Sequence, residues 1–273
     1  MGLALLGARR PLLPYQGSKW RFRKPLMARF QALGFEGAPA RVALFDAGPW
    51  GVVAPTVVDA CRREGVLDQL RLLARLDPRA VYEALHQQPV PADPVTYSAQ
   101  FLFLQRLSYS GKAVGERDGC WVSPGFNTSS AYGLPGTERF GAVNPMIPSL
   151  IKVLEGYAAA FEAPAVSGAR CPAVAPEHPV NVPTLVYLDP PYAGSTGYPG
   201  GTLGRGEVVG LARAWQAAGA HVVISEAEPI AALCDAGWGS ERVDAGRKDT
   251  SRFRGKQEEW ITIGSPEDAA PLG

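Results

Sequence analysis

The run Thr184-Leu185-Val186-Tyr187-Leu188 stops abruptly at Asp189-Pro190-Pro191-Tyr192, and this junction constrains the fold more than any other stretch. A short unbroken series of branched and apolar residues reads as a strand covered on both faces, the mark of a parallel sheet. Proline has no amide hydrogen for a ladder, so the two prolines end the strand there. Similar runs at 41–45 and 221–225 predict two more strands, and 260–263 predicts a last one. Apolar spacings of three and four predict helices at 52–63, 66–76, 78–86, 97–107, 148–161 and 207–218. Strands alternating with helices place the chain in the α/β class.

Composition narrows the choice. A chain of 273 residues holds one α/β domain with an inserted lobe, or two small domains. Hydrophobic residues make up 46% and charged ones 19%, enough apolar area for a packed core. The net charge of +1 excludes a polycation, so any nucleic-acid contact must come from local patches. Cys61, Cys120, Cys171 and Cys234 lie far apart without a C-x-x-C pair, which points to reduced thiols rather than zinc or a disulfide framework. His86, His178 and His221 show no metal spacing, so no metal is expected, and His221, which opens a strand, reads as structural. At the start, charges follow the apolar residues instead of preceding them, unlike a signal peptide. No apolar run approaches a membrane span in length, so the expectation is a soluble, cytoplasmic protein with no membrane partner. Gly and Pro are abundant (31 and 25) but spread along the chain, so disorder does not follow. Residues 87–94 read as a Pro-rich break, 108–144 as a long irregular loop region, and 163–183 as a Pro-rich connector.

The chemistry centres on Asp189. Open α/β sheets bind ligands beyond the carboxyl ends of their strands. An amino group on adenine or cytosine is a poor nucleophile because its lone pair is delocalised into the ring. The Asp189 carboxylate and the Pro190 carbonyl can accept its hydrogens and stabilise the charge that develops on that nitrogen. Pro191 shapes the turn, and Tyr192 can stack on the base, a contact of ~1–3 kcal/mol. Reaching a base in a duplex requires flipping it out. Taken alone, the tetrapeptide also fits a Pro-Pro turn that merely closes a core strand.

Two other segments suit a ligand. In Tyr15-Gln16-Gly17-Ser18-Lys19 a glycine permits close backbone approach and the lysine can meet a carboxylate or phosphate. Alone, this reads sooner as an exposed N-terminal turn. Phe45-Asp46-Ala47-Gly48-Pro49-Trp50-Gly51 joins a strand to a helix and suits an adenosyl or amino-acid moiety at a helix start. It is neither G-x-G-x-x-G nor a P-loop, which disfavours a dinucleotide or a nucleoside triphosphate.

The order of these pieces resembles the Dam-type family of S-adenosylmethionine-dependent DNA adenine methyltransferases. Tyr15 to Lys19 is similar to that family's aromatic-x-Gly-Gly-Lys element, with Ser18 at the second glycine. Phe45 to Gly51 loosely resembles its Phe-x-Gly-x-Gly cofactor turn, made bulkier by Pro49 and Trp50. Arg106-Leu107-Ser108-Tyr109-Ser110-Gly111 and Phe126-Asn127 through Gly133 resemble its recognition segments, with Ser110 for an Asn and Thr128-Ser129-Ser130-Ala131 for a Val-Pro-Phe step. Asp189 to Tyr192 matches its Asp-Pro-Pro-Tyr motif completely, and Ser225 and Glu259 stand near two further family positions.

The resemblance implies a Rossmann-like methyltransferase sheet in 1–65 and 164–273 with an inserted helical and loop-rich recognition lobe in 66–163. It implies S-adenosylmethionine as cofactor and double-stranded DNA as partner. Catalytic residues would be Asp189, Pro190, Pro191 and Tyr192. The cofactor side would hold Tyr15, Gln16, Gly17, Lys19, Phe45, Asp46, Ala47, Gly48 and Asp189, with Asp59 or Glu64 as the acid for the ribose. Arg106, Tyr109, Lys112, Asn127, Ser129, Arg252 and Arg254 would face DNA. Basic residues also cluster at Lys19, Arg21, Arg23, Lys24 and Arg29, and again at Arg247, Lys248, Arg252, Arg254 and Lys256, which suits backbone phosphates. The same acceptors fit cytosine, and a related turn serves methyl transfer to RNA or protein. A DNA-binding relative without catalysis is the remaining alternative.

Overall fold

Aspartates set three consecutive helix starts. Asp59, Asp77 and Asp93 each take extended backbone angles, and each side chain accepts a backbone N–H one turn on, from Arg62 (2.8 Å), Ala80 (2.6 Å) and Thr96 (2.8 Å). Such caps satisfy donors that no intrahelical carbonyl can reach. Pro78 and Pro94 follow two of them at the first helical position, where a missing N–H costs nothing. The cap at Asp59 divides the helix expected over 52–63 into α2 (Trp50–Val58) and α3 (Ala60–Leu73). Pro94 lengthens the one expected over 97–107 into α5 (Pro94–Leu107), and α4 (Pro78–Leu85) lies between.

The computed structural model describes residues 22–35, 41–46, 48–109, 112–127, 146–156, 165–169, 174–190, 203–247 and 256–268. The fold is mixed α/β, and the chain divides into two compact units. The first comprises 1–20, 38–172 and 198–200, the second 21–37, 173–197 and 201–273.

In the first unit β1 (Arg41–Phe45) pairs in parallel with β4 (Ala165–Ala169). The 163–183 stretch, expected to be a connector, thus contains a strand. Its Ala, Ser and Gly residues carry little strand preference, and pairing with β1 makes the strand. The unit's core surrounds α5. Phe101, Leu102, Phe103, Leu104 and Leu107 are all buried, so this stretch of the helix is covered on every side. Val53 and Val57 of α2, Val66 and Leu70 of α3, Tyr82 of α4, and Ile147, Leu150 and Leu154 of α6 (Met146–Gly156) complete the cluster. Part of the region expected to be irregular forms a hairpin, β2 (Gly115–Arg117) with β3 (Cys120–Val122). Its turn is Asp118-Gly119, both at positive φ (52° and 74°), the two-residue connection that matches strand twist. Residues 128–145 lie outside the described residues, as do 157–161 of the helix expected over 148–161.

The second unit carries the sheet β5 (Leu185–Leu188), β6 (His221–Glu226), β8 (Lys256–Gly264), β7 (Gly239–Arg247), in that spatial order. As expected, β5 and β6 are parallel, and β8 runs antiparallel to both of its neighbours. The expectation of full burial does not hold for β5, which is half-buried; it ends the strand order and is covered from fewer sides than β6. On β6, Val222 to Glu226 are all buried. Val208 and Ala212 of α7 (Arg205–Ala217) pack with Val222, Ile224, Trp238 and Leu233 of the short α8 (Ala231–Cys234). The unit also holds α1 (Arg23–Ala32), which had read only as a basic cluster. Phe30 meets Tyr187 edge-on at 6.0 Å between ring centres, and Arg29 pairs with Glu241, Nε to Oε1 at 2.8 Å.

Candidate functional site

Residue 188 of β5 lies level with Ile224 of β6, so Asp189 and Pro190 emerge at the carboxyl end of a parallel pair. Asp189 is exposed and Pro190 buried. The prolyl ring is thus seated in the unit while the residue beside it is exposed. Pro191 and Tyr192 lie outside the described residues. Behind Asp189, the Tyr187 hydroxyl and Ser225 Oγ share a hydrogen bond of 2.7 Å that ties β5 to β6. Ser225 is fully buried.

Next on β6 comes Glu226, also buried. Its Oε1 lies 2.8 Å from Nη1 of Arg205, the first residue of α7. The other guanidinium nitrogen reaches Glu228 at 3.3 Å. The pair therefore ties the start of α7 to the same strand end. Antiparallel register sets Trp260 opposite Glu226, which brings the buried Glu259 of β8 to that edge too. Acidic groups gather at this edge: Asp189 in solvent, Glu226 and Glu259 inside.

The turn after β1 is built on Asp46, whose Oδ1 accepts the Gly48 N–H at 2.7 Å. Among the described residues, a Cβ at position 48 would meet only this oxygen, at 3.1 Å, so glycine lets the carboxylate close on the backbone. The Pro49 carbonyl then accepts from Val52 (3.1 Å) and Val53 (3.0 Å), starting α2. Trp50, which sets this turn apart from the family's pattern, turns its ring edge-on to Phe101 at 5.3 Å and belongs to the core. Phe45 closes β1. Both acids considered for a ribose carry local tasks: Asp59 caps α3, and Glu64 pairs with Arg71 at 2.7 Å. Tyr15, Gln16, Gly17, Lys19 and Ala47 lie outside the described residues.

The segments that begin at Arg106 and Phe126, expected to be recognition elements, are joined. Ser108 and Phe126 form an antiparallel bridge, the Tyr109 N–H donates to the Gly125 carbonyl at 2.9 Å, and the Asn127 N–H to the Leu107 carbonyl at 2.9 Å. Tyr109 and Lys112 are exposed and Asn127 is half-buried. Arg106 is half-buried, with Nε donating to the Met146 carbonyl at 3.3 Å, so it anchors α6. Below them His86 Nδ1 meets the Tyr82 carbonyl (2.7 Å) and Nε2 meets Ser123 Oγ (2.8 Å). A carbonyl only accepts, so Nδ1 carries the proton and Ser123 donates to Nε2. The Tyr82 hydroxyl donates in turn to Ser123 at 2.6 Å, and burial raises its pKa. Ser129, Lys248, Arg252 and Arg254 lie outside the described residues, while positions 247 and 256 are paired in the β7–β8 backbone register.

Sequence reasoning passed over Gln105, Arg205 and Glu226. Gln105 was hidden in an apolar run; Glu226 had a signal, a carboxylate closing a buried strand. His221 takes the structural role expected of it, bonded to Ser265 Oγ (3.2 Å) and edge-on to Phe35. Among the described residues Cys61, Cys120 and Cys234 are free thiols, no group of three or more His, Cys, Asp or Glu suits a metal ion, and no helix is long and apolar enough to cross a membrane. Protein-family models do not match this chain, and neither does any curated protein.

Proposed function

We propose that this chain is an S-adenosylmethionine-dependent DNA methyltransferase acting on the exocyclic amino nitrogen of adenine. The observation that carries the reading is the exposed Asp189 beside the buried Pro190, at the carboxyl end of a strand paired in parallel. That is where open α/β sheets receive ligands. The seated proline fixes the backbone, so the carboxylate and the Pro190 carbonyl are held without help from the substrate. Two acceptors on one amino group stabilise positive charge developing on its nitrogen. After transfer the nitrogen sheds a proton, which the carboxylate of the exposed Asp189 takes up and passes to water.

S-adenosylmethionine supplies the methyl group on a sulfonium. The Asp46–Gly48 turn fits such a group in one respect: a carboxylate lies against a backbone stripped of side chain at position 48, just ahead of a helix start. Asp46 would accept from an amine or hydroxyl there, and Tyr15, Gln16, Gly17 and Lys19 complete the assignment. The lobe of 66–163 is the DNA reader in this reading, with Arg106, Tyr109, Lys112 and Asn127 in the bridged segments. A cytoplasmic location accords with the chemistry.

Incubation with methyl-labelled S-adenosylmethionine and double-stranded DNA, followed by nucleoside mass spectrometry, tests the proposal. N6-methyladenine is the expected product. N4-methylcytosine would move the same chemistry to the other base, and label in RNA or protein alone would refute the DNA substrate. A second reading, a DNA-binding relative without catalysis, draws on the local engagement of Asp59 and Glu64. Titration calorimetry with S-adenosylmethionine separates the two, since absence of binding at millimolar ligand favours the second.

A further inference from the structure

Gln105 is completely buried in a helix otherwise walled by phenylalanine and leucine. An amide in such surroundings costs stability unless its polar atoms are bonded. Nε2 donates to the Lys112 carbonyl at 3.1 Å, and Oε1 accepts the Val114 N–H at 2.9 Å. These bonds grip the chain on either side of Ala113. A neighbouring strand offers that pattern; here a side chain supplies it. Ser108, 2% exposed, donates to the same Lys112 carbonyl at 2.8 Å. The Lys112 N–H closes on the Tyr109 carbonyl at 3.1 Å, and the Tyr109 N–H is held by Gly125. Tyr109, 45% exposed, and the exposed Lys112 stand at the two ends of this hydrogen bond.

We infer that Gln105 is a positioning residue for DNA recognition. It holds the 112–114 backbone so that the Tyr109 ring and the Lys112 ammonium act as one preorganised contact, the ring against a base or sugar and the cation against a phosphate. Preorganised groups bind better because less freedom is lost on contact. The inference rests on the DNA methyltransferase reading for its partner, and on the hydrogen bonds alone for the positioning.

Gln105→Met keeps the side chain's length and removes both bonds; Ser108→Ala removes one donor and is the milder probe. Trypsin cleavage after Lys112 in the folded protein reads the clamp directly. It is expected to speed up at least tenfold in Gln105→Met and severalfold in Ser108→Ala. Binding to a short DNA duplex, read by fluorescence anisotropy, is expected to weaken at least fivefold in Gln105→Met. Lys112→Ala should weaken the parent protein but add little in the Gln105→Met background, the coupling that a contact acting as a unit shows. S-adenosylmethionine affinity should stay within twofold of the parent value. Unchanged cleavage, or independent losses from Gln105→Met and Lys112→Ala, would overturn the positioning role and leave the methyltransferase reading standing. A parent protein that binds no DNA while cleavage still responds would overturn the DNA partner and that reading together.

Discussion

Asp189 and Glu226 lie one strand apart at the same sheet edge, and solvent separates their roles. Asp189 is exposed, so removing it should cost at most about 1 kcal/mol of stability, the upper range for an exposed polar or ionic contact. Loss of one aimed acceptor should nevertheless cut kcat about 10²–10³-fold in Asp189→Ala, judged by the cost of deleting a single stabilising group in other active sites. Thermal melting checks the first effect and labelled-methyl transfer the second; full activity would remove Asp189 from the mechanism. Glu226 behaves oppositely. It is buried against Arg205, which keeps about a third of its side chain in water and retains Glu228. Breaking a fully buried pair costs about 3–5 kcal/mol, so with this partial exposure Glu226→Gln should cost on the order of 1–2 kcal/mol. A lower urea midpoint at unchanged slope would bear this out.

At the scale of elements, helix starts carried a local cue that apolar spacing passed over: an aspartate caps the helices that begin at Ala60 and Pro94, where spacing placed the starts at 66 and 97. Asp93 shows the consequence. Its carboxylate takes bonds from the Thr96 hydroxyl (2.7 Å) and N–H (2.8 Å), which hold its pKa below the usual carboxylate value. The lowered folded-state pKa means that the cap's contribution is complete above the unfolded-state pKa, about 3.9. It is lost as pH falls through the folded-state value. Asp93→Asn keeps a capping oxygen but cannot titrate, so its melting temperature should vary less than the parent's below pH 4. Asp93→Ala should cost about 1 kcal/mol at neutral pH. Strands were legible where apolar and branched residues supply the signal, as in β5 and β6. They were hidden in β4 and in β7, where Gly239-Ser240-Glu241-Arg242 carries none and pairing with β8 makes the strand. The β2–β3 hairpin had a readable cue in Asp118-Gly119, masked by the irregular composition around it.

For the whole molecule, a net charge of +1 means that the proposed DNA affinity would come from a few local cations. Each phosphate contact adds about 0.9 to the slope of log affinity against log salt. Lys112→Ala should therefore lower that slope by about one while leaving S-adenosylmethionine binding unchanged. Filter binding between 50 and 200 mM salt measures this, and an unaltered slope would take Lys112 out of the interface.

The core of the first unit was legible in outline, since α5 is an apolar run that only burial can accommodate. That this helix is wrapped by α2, α3, α4 and α6 followed from tertiary packing. So did the bridge between Ser108 and Phe126, and the clamp from Gln105 to the 112–114 backbone. The sequence by itself determined the strand that ends in Asp189, the capping aspartates and the turn at Asp46 to Gly48, because each is specified by neighbours along the chain. Only the tertiary structure decided that Trp50 serves the core, that Arg106 anchors α6, and that Glu226 is buried against Arg205. Those outcomes depend on which distant groups displace water from a side chain, and spacing along a chain does not encode that.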